Sequence, residues 1–168
     1  MSLIKTMTID DFYTNNMAMN IANTIGTLDF QNCEYGSEIP NFNMIPDDAD
    51  KLFSKVLNFN VSVSKESGIF RRPKMFIHFE SFDSPDDWLF VSALETSTFN
   101  IFEHQSGVKT ARQGYQFNYT NLFEWDLKVN YILEPGQGVF FRPWLFHSFD
   151  QGLVQVFKMK EQQNAIGI

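Results

Sequence analysis

The run Pro135-Gly136-Gln137-Gly138-Val139-Phe140-Phe141-Arg142-Pro143-Trp144-Leu145-Phe146-His147-Ser148-Phe149 decides how this chain is read. Pro-Gly followed by a second glycine predicts a tight turn, an apolar strand leaves it, Pro143 interrupts that strand, and a histidine follows among aromatic residues. Upstream, Met75-Phe76-Ile77-His78-Phe79-Glu80 sets a second histidine two residues before a carboxylate. On a strand such side chains project from one face, with Cα atoms roughly 7 Å apart. With His147 brought beside them, His78 and Glu80 could hold one metal ion, in the two-histidine, one-carboxylate set of non-heme iron sites.

The strand around His78 is apolar on both phases, so both of its faces are predicted to be covered. A histidine and a glutamate there need partners, because an unpaired buried carboxylate is costly. A metal ion supplies one partner, and hydrogen bonds within a core supply another.

From Phe59 onwards the pattern is β. Strands are predicted at Val61 to Ser64, Met75 to Glu80, Trp88 to Glu95, Thr98 to His104, Lys128 to Leu133, Val139 to Arg142, Phe146 to Phe149 and Leu153 to Met159. Turns are predicted at Glu66-Ser67-Gly68, Ser84-Pro85-Asp86 and Gln105-Ser106-Gly107, and Gln113 to Leu127 is a less regular aromatic excursion. Before this, Leu3 to Ile9 reads as a short strand that leaves through Asp10-Asp11-Phe12-Tyr13. Thr14 or Asn15 can cap a helix with Met17, Ala18, Ile21, Ala22 and Ile25 on one stripe, ended by Gly26. Gln31 to Met44 is turn-rich and reads as a surface loop. A second helix opens with Pro46 at its first position and Asp47, Asp48 and Asp50 in its first turn, and its stripe is Ala49, Leu52, Phe53, Val56 and Leu57. Two helices before a series of short strands predict a mainly β fold, a double-sheet jelly roll with the helices packed on one side.

At 168 residues the chain reads as one domain, residues 1–168, long enough to bury a core. Its 19 Phe make that core unusually aromatic. A net charge of −7 excludes a general nucleic-acid or anionic-membrane binder, because phosphate attraction needs a basic face. Any anion site is therefore local. Lys65, Arg71, Arg72 and Lys74 form one cluster and Lys109 with Arg112 another, unless both are solvated loop charges. The single cysteine, Cys33, cannot form an internal disulfide and reads as a small buried or half-buried residue. Asp10 and Asp11 stand where a signal peptide needs its apolar run, and no stretch approaches ~18 uninterrupted apolar residues, so a soluble, cytoplasmic protein is expected.

Among other candidates, His104 at a strand end reads as structural or as a neighbour of the site. Arg142 is either a carboxylate-paired or surface arginine or one that holds an anion. Trp88, Trp125 and Trp144 read as core or rim residues. Asn130 and Tyr131 point to opposite faces of one strand, so at most one faces a cavity.

Taken together, these features resemble the 2-oxoglutarate and Fe(II)-dependent oxygenase superfamily, whose double-stranded β-helix is shared with cupins. The motifs are Asp10-Asp11-Phe12-Tyr13, Tyr35-Gly36, the Ile-His-x-acid strand Ile77 to Glu80, Phe102-Glu103-His104 with Gly107, and His147-Ser148. The resemblance implies that His78, Glu80 and His147 ligate Fe(II). It implies that 2-oxoglutarate is the cosubstrate and that its oxidative decarboxylation drives removal of a hydrogen, usually replaced by hydroxyl, from a small-molecule or peptide substrate. A basic residue after the last histidine anchors the far carboxylate in such enzymes; Lys158 stands in that place, on the strand face of Val154 and Val156, with Arg142 as the alternative. Glu80 replaces the commoner Asp, and the usual Gly-x-Arg is absent, since Gly152 precedes Leu153 and Val154. A cupin-like metalloprotein without 2-oxoglutarate and a non-catalytic jelly roll use the same residues differently. Such folds also admit a homodimer.

Overall fold

Residues 5–33, 36–42, 45–72, 77–108 and 121–162 are described in a computed structural model, with the side chains of residues 33, 40, 41, 65 and 66 left aside. Leu3, Tyr35, Lys74, Met75, Phe76, Lys109 and Arg112, and the side chains of Cys33 and Lys65, therefore lie outside the described part of the molecule.

Two antiparallel sheets face one another. In chain order the elements are β1 (Met7–Ile9), α1 (Asn15–Ile25), β2 (Gln31–Cys33), β3 (Gly36–Phe42), α2 (Ala49–Leu57), β4 (Val61–Arg71), β5 (Trp88–Ala93), β6 (Ser97–His104), β7 (Trp125–Leu133), β8 (Gly138–Phe141), β9 (Phe146–Asp150) and β10 (Leu153–Glu161). The large sheet runs β1-β8-β5-β10-β4-β3-β2, and the small one runs β7-β6-β9. The segment at His78 joins the small sheet through a bridge to His147 on β9. This is the expected jelly-roll architecture with two helices on one side.

Alternation along the large sheet explains the layers. Phe90, Phe140 and Phe157 face the helices, while Leu89, Val91, Phe141, Val154 and Val156 face the small sheet. On the helix side, Ala18, Ile21 and Ile25 of α1 and Ala49, Phe53 and Leu57 of α2 close the core. The Phe53 ring lies tilted 4.8 Å from Phe90 and edge-on 5.1 Å from Phe140, so much of the helix docking is aromatic. Tyr13, buried there, donates to Gln155 Oε1 at 2.9 Å, and Gln155 donates to Ser67 Oγ at 2.9 Å. Each buried polar group in that relay is thus matched.

Four expectations are corrected. Residues 31–44, read as a loop, contain the β2–β3 hairpin; its pairing partner is β4, and its register shifts between Ile39 and Phe42, where Pro40 has no amide to give. The expected turn at Glu66-Ser67-Gly68 lies inside the continuous strand β4, and Gly68 is where the Phe70 ring folds back into the space an added Cβ would take. The second helix opens at Ala49 and not at Pro46, whose carbonyl instead receives the Ala49 N–H at 3.0 Å. Met17, placed on the buried stripe of α1, is 51% exposed.

Gly136 ties the entry strand to the turn before β8. Its carbonyl accepts from Phe12 N at 3.0 Å and Tyr13 N at 3.2 Å, its φ is +96°, and an added Cβ would run into Tyr13 O. The clash is with backbone, so no side chain can move aside. Gly136→Ala is expected to cost about 2–3 kcal/mol, or about 5–10 °C in thermal midpoint, measured by thermal denaturation against the parent.

Candidate metal centre

One bridge between extended segments, and not a full strand at His78, sets the site. His147 is the second residue of β9, which starts a few residues after Pro143 follows the end of β8, and its ring turns inward among Phe141 at 4.6 Å, Phe99 at 6.3 Å and Phe149 at 6.0 Å. His78 lies opposite, its N–H giving to His147 O at 2.9 Å and its carbonyl receiving His147 N–H at 2.8 Å. Residues opposed in this way put their side chains on one face, and the two rings lie 4.4 Å apart. Glu80, two residues on, returns to that face, and its own N–H is held by Pro143 O at 2.9 Å.

Three ligand atoms of His78, Glu80 and His147 lie within 4.8 Å of one another. His78 Nε2 meets Glu80 Oε1 at 3.0 Å, and His147 Nε2 stands 4.0 Å from the same oxygen. His147 is wholly buried, and its Nδ1 lies 2.8 Å from Leu145 O. A carbonyl can only accept, so Nδ1 carries the proton and Nε2 presents a lone pair. That lone pair has no hydrogen-bond partner, which a buried ring nitrogen tolerates poorly. It points toward a carboxylate and a second imidazole. Two nitrogens and a carboxylate oxygen suit a borderline divalent ion, so the residues fit the metal group the motif implies.

The electrostatics agree. Burial, with the His78 charge beside it, pushes His147 down to about 3, so the ring is neutral at physiological pH and free to ligate. Burial alone would raise Glu80, but the hydrogen bond and charge of His78, with smaller help from His147 and Lys158, hold it near about 2. Because His147 stays neutral over most of this range, the bond to His78 carries that effect. The unfolded chain takes up a proton on His147 below pH 6.5 that the folded chain refuses until about 3, so stability is present above 6.5 and lost on acidification. Glu80 adds to the loss between pH 4.5 and about 2. The metal-free protein is expected to lose about 2 kcal/mol between pH 7 and 5, seen as a falling urea midpoint; a flat profile would contradict the His147 environment.

Lys158 follows the phase of Val154 and Val156 on β10, opposite Leu89 on β5, and its side chain is exposed. It lines a cavity of about 320 Å³ together with Ser62, Ser64, Ser81, Leu89 and Pro143. Ser81 follows Glu80 in the chain and Pro143 O accepts the Glu80 amide, but His78, Glu80 and His147 are not among the residues that line the cavity. Among the described residues no hydrogen bond or ion pair engages the Lys158 ammonium.

Arg142 is not in this space, which corrects its reading as a cosubstrate anchor. It lies on the helix side of the sheet, 3.6 Å over the Trp88 ring, with Glu161 at 3.4 Å and the carbonyls of Asp86 and Asp87 at 2.8 and 3.2 Å. His104 is structural, bonded to Ser106 at 2.7 Å and near Glu124 at 3.4 Å. Tyr131 faces the inner core and Asn130 bonds outward to Asn100. Trp88 and Trp125 are core, and Trp144 is half-buried. Arg72, which in sequence groups with solvated charges, is instead buried, its guanidinium 5.0 Å from the Phe70 ring and 6.0 Å from Phe149. Phe149 also contacts both histidine rings, and only the apolar neighbours of Arg72 in the sequence hinted at its position.

No protein-family model matches this chain, and no curated protein matches it in sequence. Solved structures do. HygX from Streptomyces hygroscopicus, with nickel, 2-oxoglutarate and hygromycin B bound, aligns at a TM-score of 0.63 and 10% identity over 95% of this chain and 84% of that one. The epimerase SnoN, in complex with Fe3+, alpha ketoglutarate and nogalamycin RO, aligns at 0.60 and 8% identity over 97% and 87%. AviO1 from Streptomyces viridochromogenes Tue57 aligns at 0.60 and 7% identity over 96% and 91%. The likeness is one of fold: this chain has the cupin-like jelly roll that HygX and SnoN also have, with a His-Glu-His group that could hold a metal.

Proposed function

We propose that this protein is an Fe(II)- and 2-oxoglutarate-dependent oxygenase, a hydroxylase of a small molecule or peptide in the cytoplasm. The observation that carries the reading is the lone pair of buried His147 Nε2, unpartnered and directed at His78 and Glu80. Iron would be held by His78, Glu80 and His147, and 2-oxoglutarate by the metal at one end and Lys158 at the other. Together they would supply the electrons and the metal needed to activate O2, the oxidant, which side chains alone do not provide.

The chain's own residues do the rest. Leu145 O fixes the His147 tautomer through Nδ1, so no rearrangement of that ring precedes ligation. His78 Nε2, hydrogen-bonded to Glu80, must give up that bond to ligate, so metal uptake competes with a proton there. Phe99, Phe141 and Phe149 dry the inner side and strengthen each charge contact within it. Lys158 offers an unpaired ammonium at the cavity, where a dicarboxylate would meet it as a charge-assisted hydrogen bond.

Support for the cosubstrate comes from HygX and SnoN, each solved with it bound. The test is an anaerobic titration with Fe(II) and then 2-oxoglutarate, read by the weak visible charge-transfer band of the chelate. A band supports the reading. Iron binding without a band favours a metalloprotein that does not use 2-oxoglutarate, and no iron binding removes the metal reading.

A further inference from the structure

The loop joining Glu80 to β5 presents Ser81, Asp83, Pro85 and Asp86 to solvent and offers little apolar surface to hold it. Its ties are an exposed ion pair of Asp83 with Lys160 and the two residues that flank Pro143. Arg142 Nη1 donates to Asp86 O at 2.8 Å and Asp87 O at 3.2 Å, while its plane lies 3.6 Å over Trp88. Trp144 Nε1 donates to Pro85 O at 2.9 Å. Within the loop the Asp87 carboxylate receives the amides of Asp83 at 2.9 Å and Ser84 at 3.2 Å. Pro143 O, between the two clamping residues, receives Glu80 N at 2.9 Å. The same short segment leads directly into His147.

We propose that Arg142 and Trp144 are positioning residues, a clamp that sets Glu80 against His147 and thereby tunes the metal affinity of the group. The inference rests on the proposed metal binding by His78, Glu80 and His147. Only a planar guanidinium can stack on Trp88 and still aim its donors at neighbouring carbonyls, whereas a lysine offers a point charge without the plane. Glu161 steadies Arg142 from the other side at 3.4 Å but touches none of the loop carbonyls. Loosening the clamp lets the Glu80 carboxylate wander, at a cost to metal binding and not chiefly to folding.

The test titrates the purified full chain anaerobically with Co(II), reading affinity and the positions of the visible d–d bands. Arg142→Lys is expected to bind Co(II) about 10-fold more weakly, with displaced bands, while the metal-free thermal midpoint moves by less than about 3 °C. Glu161→Gln, which leaves the carbonyl bonds in place, is expected to stay within about twofold of the parent. Parental affinity and bands in Arg142→Lys would overturn the clamp, as would an equal loss in Glu161→Gln. Should Arg142→Lys fail to fold, Trp144→Phe decides: about threefold weaker binding supports the clamp, and no change overturns it. If the unmodified protein takes up no Co(II), the metal reading falls and the clamp with it; if it binds and the variants match it, the clamp alone falls.

Discussion

Replacing His147 by alanine is expected to weaken Fe(II) binding by more than about 100-fold while leaving a folded, less stable protein. Changes in residues that merely orient a ligand cost about 10–100-fold in metal affinity, and His147 is itself one of three donors. Among the described residues no other candidate ligand joins the group, and the surrounding rings of Phe99, Phe141 and Phe149 carry no donor atom. The fold survives for a different reason. The ring fills a buried space, and emptying it costs about 2–4 kcal/mol by analogy with other large-to-alanine changes, partly offset because the orphaned Nε2 goes with it. The backbone exchange between residues 78 and 147 needs no side chain and remains. Anaerobic equilibrium dialysis against Fe(II), with circular dichroism beside it, measures both effects. Parental iron affinity in the variant would show that the ligand assignment is wrong.

Replacing Lys158 by methionine is expected to weaken 2-oxoglutarate binding to the iron-loaded protein by about 10–100-fold, which matches the loss of one charge-assisted hydrogen bond of about 1.5–3 kcal/mol. Methionine keeps the apolar stem that packs beside Leu89 and removes only the charge. Iron affinity should change little, because Lys158 is the smallest of the influences on Glu80. The charge-transfer band, followed against 2-oxoglutarate concentration, separates the two. A midpoint equal to the parent's would place the anchor elsewhere.

The residues of the site were legible because side chains two apart on a strand must share a face. His78 and Glu80 share a face although residues 77–80 form only an isolated bridge at His78 and not the expected strand, and Lys158 keeps the phase of Val154 and Val156. Arg142 obeys it too, yet misled, because β8 is aromatic on both faces: Phe140 and Phe141 give no sign of which faces the helices. Only contact with Trp88 decides it. The β2–β3 hairpin was missed because its strands are polar and borrow their stability from β4, which local pattern does not reveal. Arg72 shows the converse, an ordinary-looking basic run from which tertiary packing draws one member inside.

The mutual hydrogen bonds of His78 and His147 join points separated by residues 79–146, and this bears on the order of events in folding. Closing so long a loop is entropically slow, and β topologies of high contact order assemble their distant pairings late. The three donors therefore do not exist as a set in early, partly collapsed chains, and an ion in solution finds nothing to template. Interactions absent from the transition state act on the unfolding limb of a chevron. Loading the site should slow the escape from the native state and leave the rate of reaching it nearly unchanged, so that the ion works as a latch and not as a nucleus.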